Sequence, residues 1–271
     1  ISEIAAQDNQ AQRRFLSSED PIEIQRAEWF AKSALSYALS GNMARAAEES
    51  RRAIALEFST PLGTVPADYE SYFTPGDALA LAGELGEAME FHENRRIRAR
   101  DIGFLQAERE ALIKLGSTRE RAGNLGEARK AYLEAVRIDR RPPGPQVGNL
   151  AESLSALGSL ELRAGNWSRA EDLFLEARKT ANPYELNQSW RIERSLAAVS
   201  AARGKKDLAE RHFELALSAL EGGRERLRPE EFALRFGIDR LRVYDEYASF
   251  LAGRAIETGA ERDAEKALMV V

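Results

Sequence analysis

Two histidines, His92 and His212, are the only imidazoles in the chain, and there is no cysteine. Without cysteine the chain offers no thiolate nucleophile, no disulfide and no Cys-ligated metal. Neither histidine stands in a carboxylate-and-nucleophile setting, and no HExxH, EF-hand, phosphate-loop or dinucleotide pattern occurs. The acidic residues could in principle supply a general acid/base pair. A helical surface with 31% charged residues offers such pairs by chance, so they read as a solvated face. Both histidines are expected to be structural, and no catalysis, metal or cofactor is expected. A different chemistry is better supported. Arg191 and Arg194 are three residues apart and share a helix face beside Trp190. Two neighbouring guanidinium groups suit a carboxylate, held in charge-assisted bonds, either of a partner or of the chain's own acids such as Glu152 or Glu185.

Composition limits the partners. Against 39 Lys+Arg stand 44 Asp+Glu, a formal net charge of −5. That balance gives no electrostatic drive toward nucleic acid or an anionic membrane. The basic run Arg95-Arg96-Ile97-Arg98-Ala99-Arg100 reads as a solvated helix face. No apolar run approaches the ~20 residues that span a bilayer, so no membrane insertion is expected. No secretory signal is visible, and the first residue is Ile1 rather than Met. The chain therefore reads as a fragment or processed form. Its compartment is left open, with the cytoplasm slightly favoured.

The elements that would position such residues are helices. Ala, Leu, Glu and Arg dominate, and prolines gather at Pro61, Pro66 and Pro75 and at Pro142, Pro143 and Pro145. Stretches 58–68 and 140–148 are accordingly expected to be loops. Between them a pattern repeats: a glycine, then an alanine five residues later. It occurs at Gly41/Ala46, Gly83/Ala88, Gly123/Ala128, Gly165/Ala170, Gly204/Ala209 and Gly259/Ala264. Seven residues before each glycine stands a small residue: Ala34, Gly76, Gly116, Gly158, Ala197 and Ala252. Nine after it stand Ser50, His92, Tyr132, Phe174, Phe213 and Leu268. The glycine can end a helix in a left-handed conformation. The small residues let helix axes approach, and the larger one fills the space between them. Each unit is then an antiparallel helix pair that completes its core by stacking on the next.

These columns resemble the tetratricopeptide family. The turns Gly123-Asn124-Leu125-Gly126-Glu127-Ala128 and Gly165-Asn166-Trp167-Ser168-Arg169-Ala170, and the pairs Leu115-Gly116 and Leu157-Gly158, carry the likeness. The resemblance implies an all-α, TPR-like alpha-alpha superhelix, a helical hairpin solenoid that binds a protein or peptide. The family's repeat of about 34 residues is shorter than this one, so longer helices or loops are expected. Trp167, just after a turn glycine, reads as a hairpin residue. First helices of such arrays line the concave face. Counting back 13, 10, 6 and 3 from each glycine places Glu110, Ile113, Ser117 and Glu120, then Glu152, Ser155, Ser159 and Leu162, then Arg191, Arg194, Ala198 and Ala201 on it. The candidate contact patch is Arg191, Arg194, Trp190, Ser155 and Ser159, with Glu120. The Asn-Asn ladder of peptide-clamping relatives is absent: the matching pairs are Ile113-Lys114, Ser155-Ala156 and Arg194-Ser195.

The tail breaks the period. Gly222-Gly223 reads as a turn, and Pro229 as the first residue of one helix of roughly 28 residues, reaching about Glu257. The run Leu234-Arg235-Phe236-Gly237-Ile238-Asp239-Arg240-Leu241-Arg242-Val243-Tyr244-Asp245-Glu246-Tyr247 is similar to the segment that follows the tetratricopeptide array in bacterial CHAT proteins, which carry a caspase-like domain. That family's His and Cys belong to the later domain and match nothing here. The expected organisation is an N-terminal helical segment or partial repeat (1–24), about five hairpins (25–221), and a long helix with a terminal hairpin (222–271) leading toward a missing C-terminal domain. The functions implied are a scaffold or the regulatory sensor of a caspase-like protease. A stand-alone peptide-binding adaptor is the alternative, and a small-molecule-sensing solenoid is a weaker one. The partner is then a protein or peptide, or the missing domain itself.

Overall fold

The computed structural model describes residues 22–59, 74–141, 149–182, 186–226 and 229–270. Among them are twelve helices and no strand: α1 (Ile22–Leu39), α2 (Met43–Ser59), α3 (Pro75–Ala82), α4 (Leu85–Asp101), α5 (Leu105–Arg121), α6 (Leu125–Asp139), α7 (Asn149–Arg163), α8 (Trp167–Thr180), α9 (Leu186–Ala202), α10 (Lys206–Arg226), α11 (Pro229–Thr258) and α12 (Glu261–Val270). Consecutive helices pack as antiparallel hairpins from α1 to α6 and again from α7 to α12, and α1 also meets α3 as α7 meets α9. The chain divides into two compact units, Ile1–Gly144 and Pro145–Val271. Residues 58 and 59 close α2 rather than opening a loop, and 140–141 form a turn. The rest of the two proline-rich stretches, 60–68 and 142–148, lies outside the described residues.

The turn glycines behave as their spacing predicts. Gly41, Gly83, Gly123, Gly165 and Gly204 all have positive φ, between 71° and 92°. In each of these five turns the next residue's N–H reaches back to the carbonyl five positions earlier, as Asn124 does to Arg119 at 2.8 Å. This satisfies carbonyls that the helix end leaves open. Gly103 makes the same turn between α4 and α5, with Phe104 N–H donating to the Ala99 carbonyl at 2.8 Å. A short turn thus also joins one hairpin to the next. There the extra length of the repeat goes into helices of 17 residues each. Helices α6 and α7 are shorter, with 15 residues each.

The small and large columns meet as expected. A Cβ placed on Gly116 would fall 2.5 Å from Tyr132 Cε1, and one on Gly158 would fall 2.9 Å from Phe174 Cε1. At Gly76 it would meet His92 Cε1 at 2.6 Å, so the imidazole fills the place of the aromatic ring. The alanines Ala46, Ala88, Ala128, Ala170 and Ala209 are buried without exception.

Two expectations fail in the tail. Gly222-Gly223 is not a turn: α10 continues through it to Arg226. Leu217, Ala219 and Leu220 pack into the core just before the pair and carry the helix past it. Packing of this kind outweighs the roughly 1 kcal/mol that each glycine costs a helix. In the terminal hairpin, Ala264 and Leu268 should face inward, yet both are exposed, Leu268 at 83%. Asp263 and Ala267 are buried instead. The Gly259 turn differs from the other six. Its N–H bonds to the Ala255 carbonyl at 2.8 Å, and Ala260 N–H turns to the Thr258 hydroxyl at 3.3 Å. Helix α12 therefore enters one residue out of step, which rotates its faces by about 100°. The long helix itself runs from Pro229 to Thr258, 30 residues.

Candidate functional site

The second unit places α9 between α7 and α11, and the arginine pair lies on it. Helix α9 anchors through Trp190, which is 1% exposed and packs with Ala216, Leu220 and Val243. This corrects its assignment to the contact patch, because the ring offers no face to a partner. The cause is helical geometry. Trp190 stands seven residues before the small Ala197, two turns along the same buried stripe. Ala27, Arg109 and Ala151 hold the same position before their own turn glycines, and all are buried. That column was readable in the sequence.

One turn on, the chemistry is exposed to solvent. The Arg191 guanidinium lies over the Trp190 ring, 5.2 Å from its centroid. Arg194 turns toward α11, where its Nε and Nη2 each donate to a Glu246 carboxylate oxygen at 2.6 Å. Arg242, four residues before Glu246 on α11, donates from Nε to the same carboxylate at 3.2 Å. Burial works against the charge on Glu246, but the Arg194 fork, followed by Arg242, holds its carboxyl below the usual range. The sequence offered Glu152 or Glu185 as internal partners for the arginines. Arg194's partner is instead 52 residues downstream. Ser155 and Ser159 are half-buried on α7, which contacts α9, and the Ser155 hydroxyl donates to the Ala151 carbonyl at 2.7 Å. Glu120 belongs to the other compact unit, on α5, where it accepts from the Tyr132 hydroxyl at 3.1 Å.

The histidines occupy different settings. His92 is buried, and neither ring nitrogen has a hydrogen-bond partner. Burial drives its pKa down to about 4. His212 does have a carboxylate beside it, Glu193, 2.6 Å from Nδ1, and Arg178 approaches the same carboxylate at 3.5 Å. The trio ties α8, α9 and α10 together as a polar cluster. Trp167 is 44% exposed at the first position of α8, beside the Gly165 turn. Among the described residues no group of three or more His, Asp or Glu could hold a metal ion. No described helix is long and apolar enough to cross a membrane.

A second charge cluster fixes the end of α11. Arg254 donates two 2.6 Å bonds to Asp263 on α12 and one of 2.7 Å to Glu210 on α10. Lys266 of α12 pairs with Glu210 and Glu214 and lies over the Tyr247 ring. The charge of Asp263 faces inward because this clamp receives it, which completes the account of the shifted register.

Residues 108–182 match the tetratricopeptide repeat family, a match that ends before the tail. Two solved structures are similar. BtubC (BKLC) from P. vanneervenii is 18% identical, with a TM-score of 0.57 over 84% of this chain and 92% of that one. The apo form of RapI is 13% identical, with a TM-score of 0.57 over 92% of this chain and 63% of that one. At such identities the likeness establishes the fold: all-α, a tetratricopeptide-like array of helical hairpins. Among curated proteins, none matches.

Proposed function

We propose that this chain is a protein-interaction scaffold that uses the α9–α11 face, centred on Arg191 and Arg194, to hold an acidic segment of a partner. The carrying observation is the bidentate Arg194–Glu246 contact, in which the face already holds a carboxylate. Two parallel bonds to a guanidinium are strong and geometrically selective. Ser155 and Ser159 stand half-buried on α7, which contacts α9. In this reading residues 25–221 are the recognition array, and 222–271 connect it to what it regulates. The finer reading is a sensor joined to a caspase-like protease domain. It is supported by the tail's likeness to the CHAT junction and by the single 30-residue helix followed by one short helix. Such a helix is about 45 Å long and stiff enough to carry a displacement.

The test is site-specific photo-crosslinking in the full-length protein. A crosslinker at Ser159 should capture one acidic segment, and one at Leu215 on α10 should not. Replacing Arg191 and Arg194 with Ala should abolish the Ser159 product and weaken binding by roughly 1–3 kcal/mol. Equal capture from both positions, or capture that survives the replacement, overturns the reading. A captured segment within a His- and Cys-bearing domain of the same polypeptide supports the sensor. A separate protein supports the stand-alone adaptor.

A further inference from the structure

Resting on that reading, we infer that Glu246 is an internal competitor: an Asp or Glu of the partner displaces it from Arg194, and the displacement loosens α11 from α9. Three features of the site fit an exchange. The pair is reachable, since the Arg194 and Glu246 side chains keep 24% and 34% of their surface. Among the described residues, two guanidinium groups, those of Arg194 and Arg242, share the one Glu246 carboxylate. One Glu246 oxygen accepts from both arginines and the other from Arg194 alone. A second carboxylate can therefore enter through Arg242, which is 66% exposed, before the first leaves. No desolvated charge is stranded on the way, which would be costly.

The exchange has a mechanical consequence. Arg194–Glu246 is a polar tie from α9 to α11, whereas the apolar attachment of α11 runs through Val243, Tyr247 and Leu251. Val243 shares its cluster with Trp190, the residue four before Arg194. Losing the tie thus alters the packing of Trp190. A ligand can shift such an equilibrium only by its differential affinity for the two states. An acidic ligand has that difference, because Glu246 occupies its site in one state and vacates it in the other.

The chain has three tryptophans, so replacing Trp29 and Trp167 with Phe leaves Trp190 as the sole emitter. In that background a fluorescein-labelled peptide of six glutamates, with a six-lysine peptide as control, is titrated at about 150 mM salt. Anisotropy gives the affinity, and Trp190 emission reports the packing. Glu246→Gln removes the competitor and should bind the hexaglutamate at least about tenfold more tightly. Its emission without ligand should already match that of the liganded parent. Arg194→Gln should lose binding by about tenfold. The double exchange Arg194→Glu with Glu246→Arg restores the ion pair and should keep the helix content while losing the probe. Equal affinity of parent and Glu246→Gln overturns the competition and leaves the binding face standing. Tighter binding without an emission change overturns only the coupling to α11. Unchanged binding in Arg194→Gln, equal binding of hexalysine, or no binding by either parent or Glu246→Gln overturns the face itself.

Discussion

His92 makes a sharp test of how the repeat core is built, because it stands where Tyr132 and Phe174 stand in the next two hairpins. Its ring lies against the Gly76 backbone with Phe91 edge-on at 5.4 Å, and both nitrogens lack partners. Burial lowers its pKa most, Asp77 of α3 opposes that, and Lys114 of α5 and Arg95 of its own helix lower it further. The folded pKa is about 4, against an ordinary value of 6.5. The unfolded chain therefore takes up a proton near pH 6.5, while the folded chain resists until about pH 4. Stability conferred by the neutral ring is complete above pH 6.5 and lost progressively as the pH falls to 4. The gap between 6.5 and about 4 is worth roughly 3 kcal/mol. His92→Phe should abolish that component. It should also be at least about 1 kcal/mol more stable at pH 7, since two unsatisfied buried nitrogens go. With only two histidines in the chain, His212→Gln assigns the imidazole resonances for titration by NMR. Amide exchange in α3 and α4, corrected for intrinsic rates, gives the local opening energy at pH 7, 5.5 and 4 for parent and variant. A His92 titration near 6.5, or a parent–variant difference that stays constant from pH 7 to 4, would refute the reasoning.

Other outcomes follow from the same geometry. Gly116→Ala should cost about 1–3 kcal/mol by overpacking against Tyr132. Gly158→Ala should cost less, because Phe174 stands further off and alanine favours helix; equal costs in thermal unfolding would contradict the column packing. Gly123→Ala should destabilise by roughly 1–2 kcal/mol at φ +79°, whereas Gly126→Ala, helical and open around its Cβ, should be neutral or stabilising. A pair of variants that change in the same direction would tell against this turn geometry. Arg254→Met should speed amide exchange across α12 while leaving α5 and α6 unchanged, and uniform protection would show that the Asp263–Arg254–Glu210 clamp does not hold α12.

The hairpins were legible because their determinants are short-range. A left-handed turn selects glycine whatever the partner helix does, and a backbone contact selects a small residue two turns before it. Both demands recur in every repeat, so arithmetic on one sequence finds them. Gly103 escaped that arithmetic because the turn it makes lies between repeats, outside the columns, although Asp101-Ile102-Gly103-Phe104 carries the same backbone bonds. Gly222-Gly223 was misjudged for the opposite reason: its local preference was read correctly, and packing of Leu217 and Leu220 overrode it. The one-residue slip of α12 turns on whether Ala260 N–H bonds to a carbonyl or to the Thr258 hydroxyl, and no periodicity encodes that choice.

The arginine face shows where sequence reasoning stops and what replaces it. That Arg191 and Arg194 share a helix face follows from 3.6 residues per turn, and so does the burial of Trp190 next to them. Which acid meets Arg194 does not follow, because Glu246 reaches it only through the packing of α11 beside the fifth hairpin. The periodic register ends before that helix begins, so no column could have pointed to it. The two facts have one origin. The periodic columns run up to α10, and α11 departs from them with a carboxylate aimed at a position that is half-buried on α5 and α7, where Ile113 and Ser155 are the equivalents of Arg194, and buried on α1, where Ala31 is. In the function proposed above, a helix that leaves the repeat plan and places its charge on the stripe proposed for recognition is placed to sense an acidic partner there. The carboxylate contact, more than the arginines alone, is what makes this face a regulatory candidate.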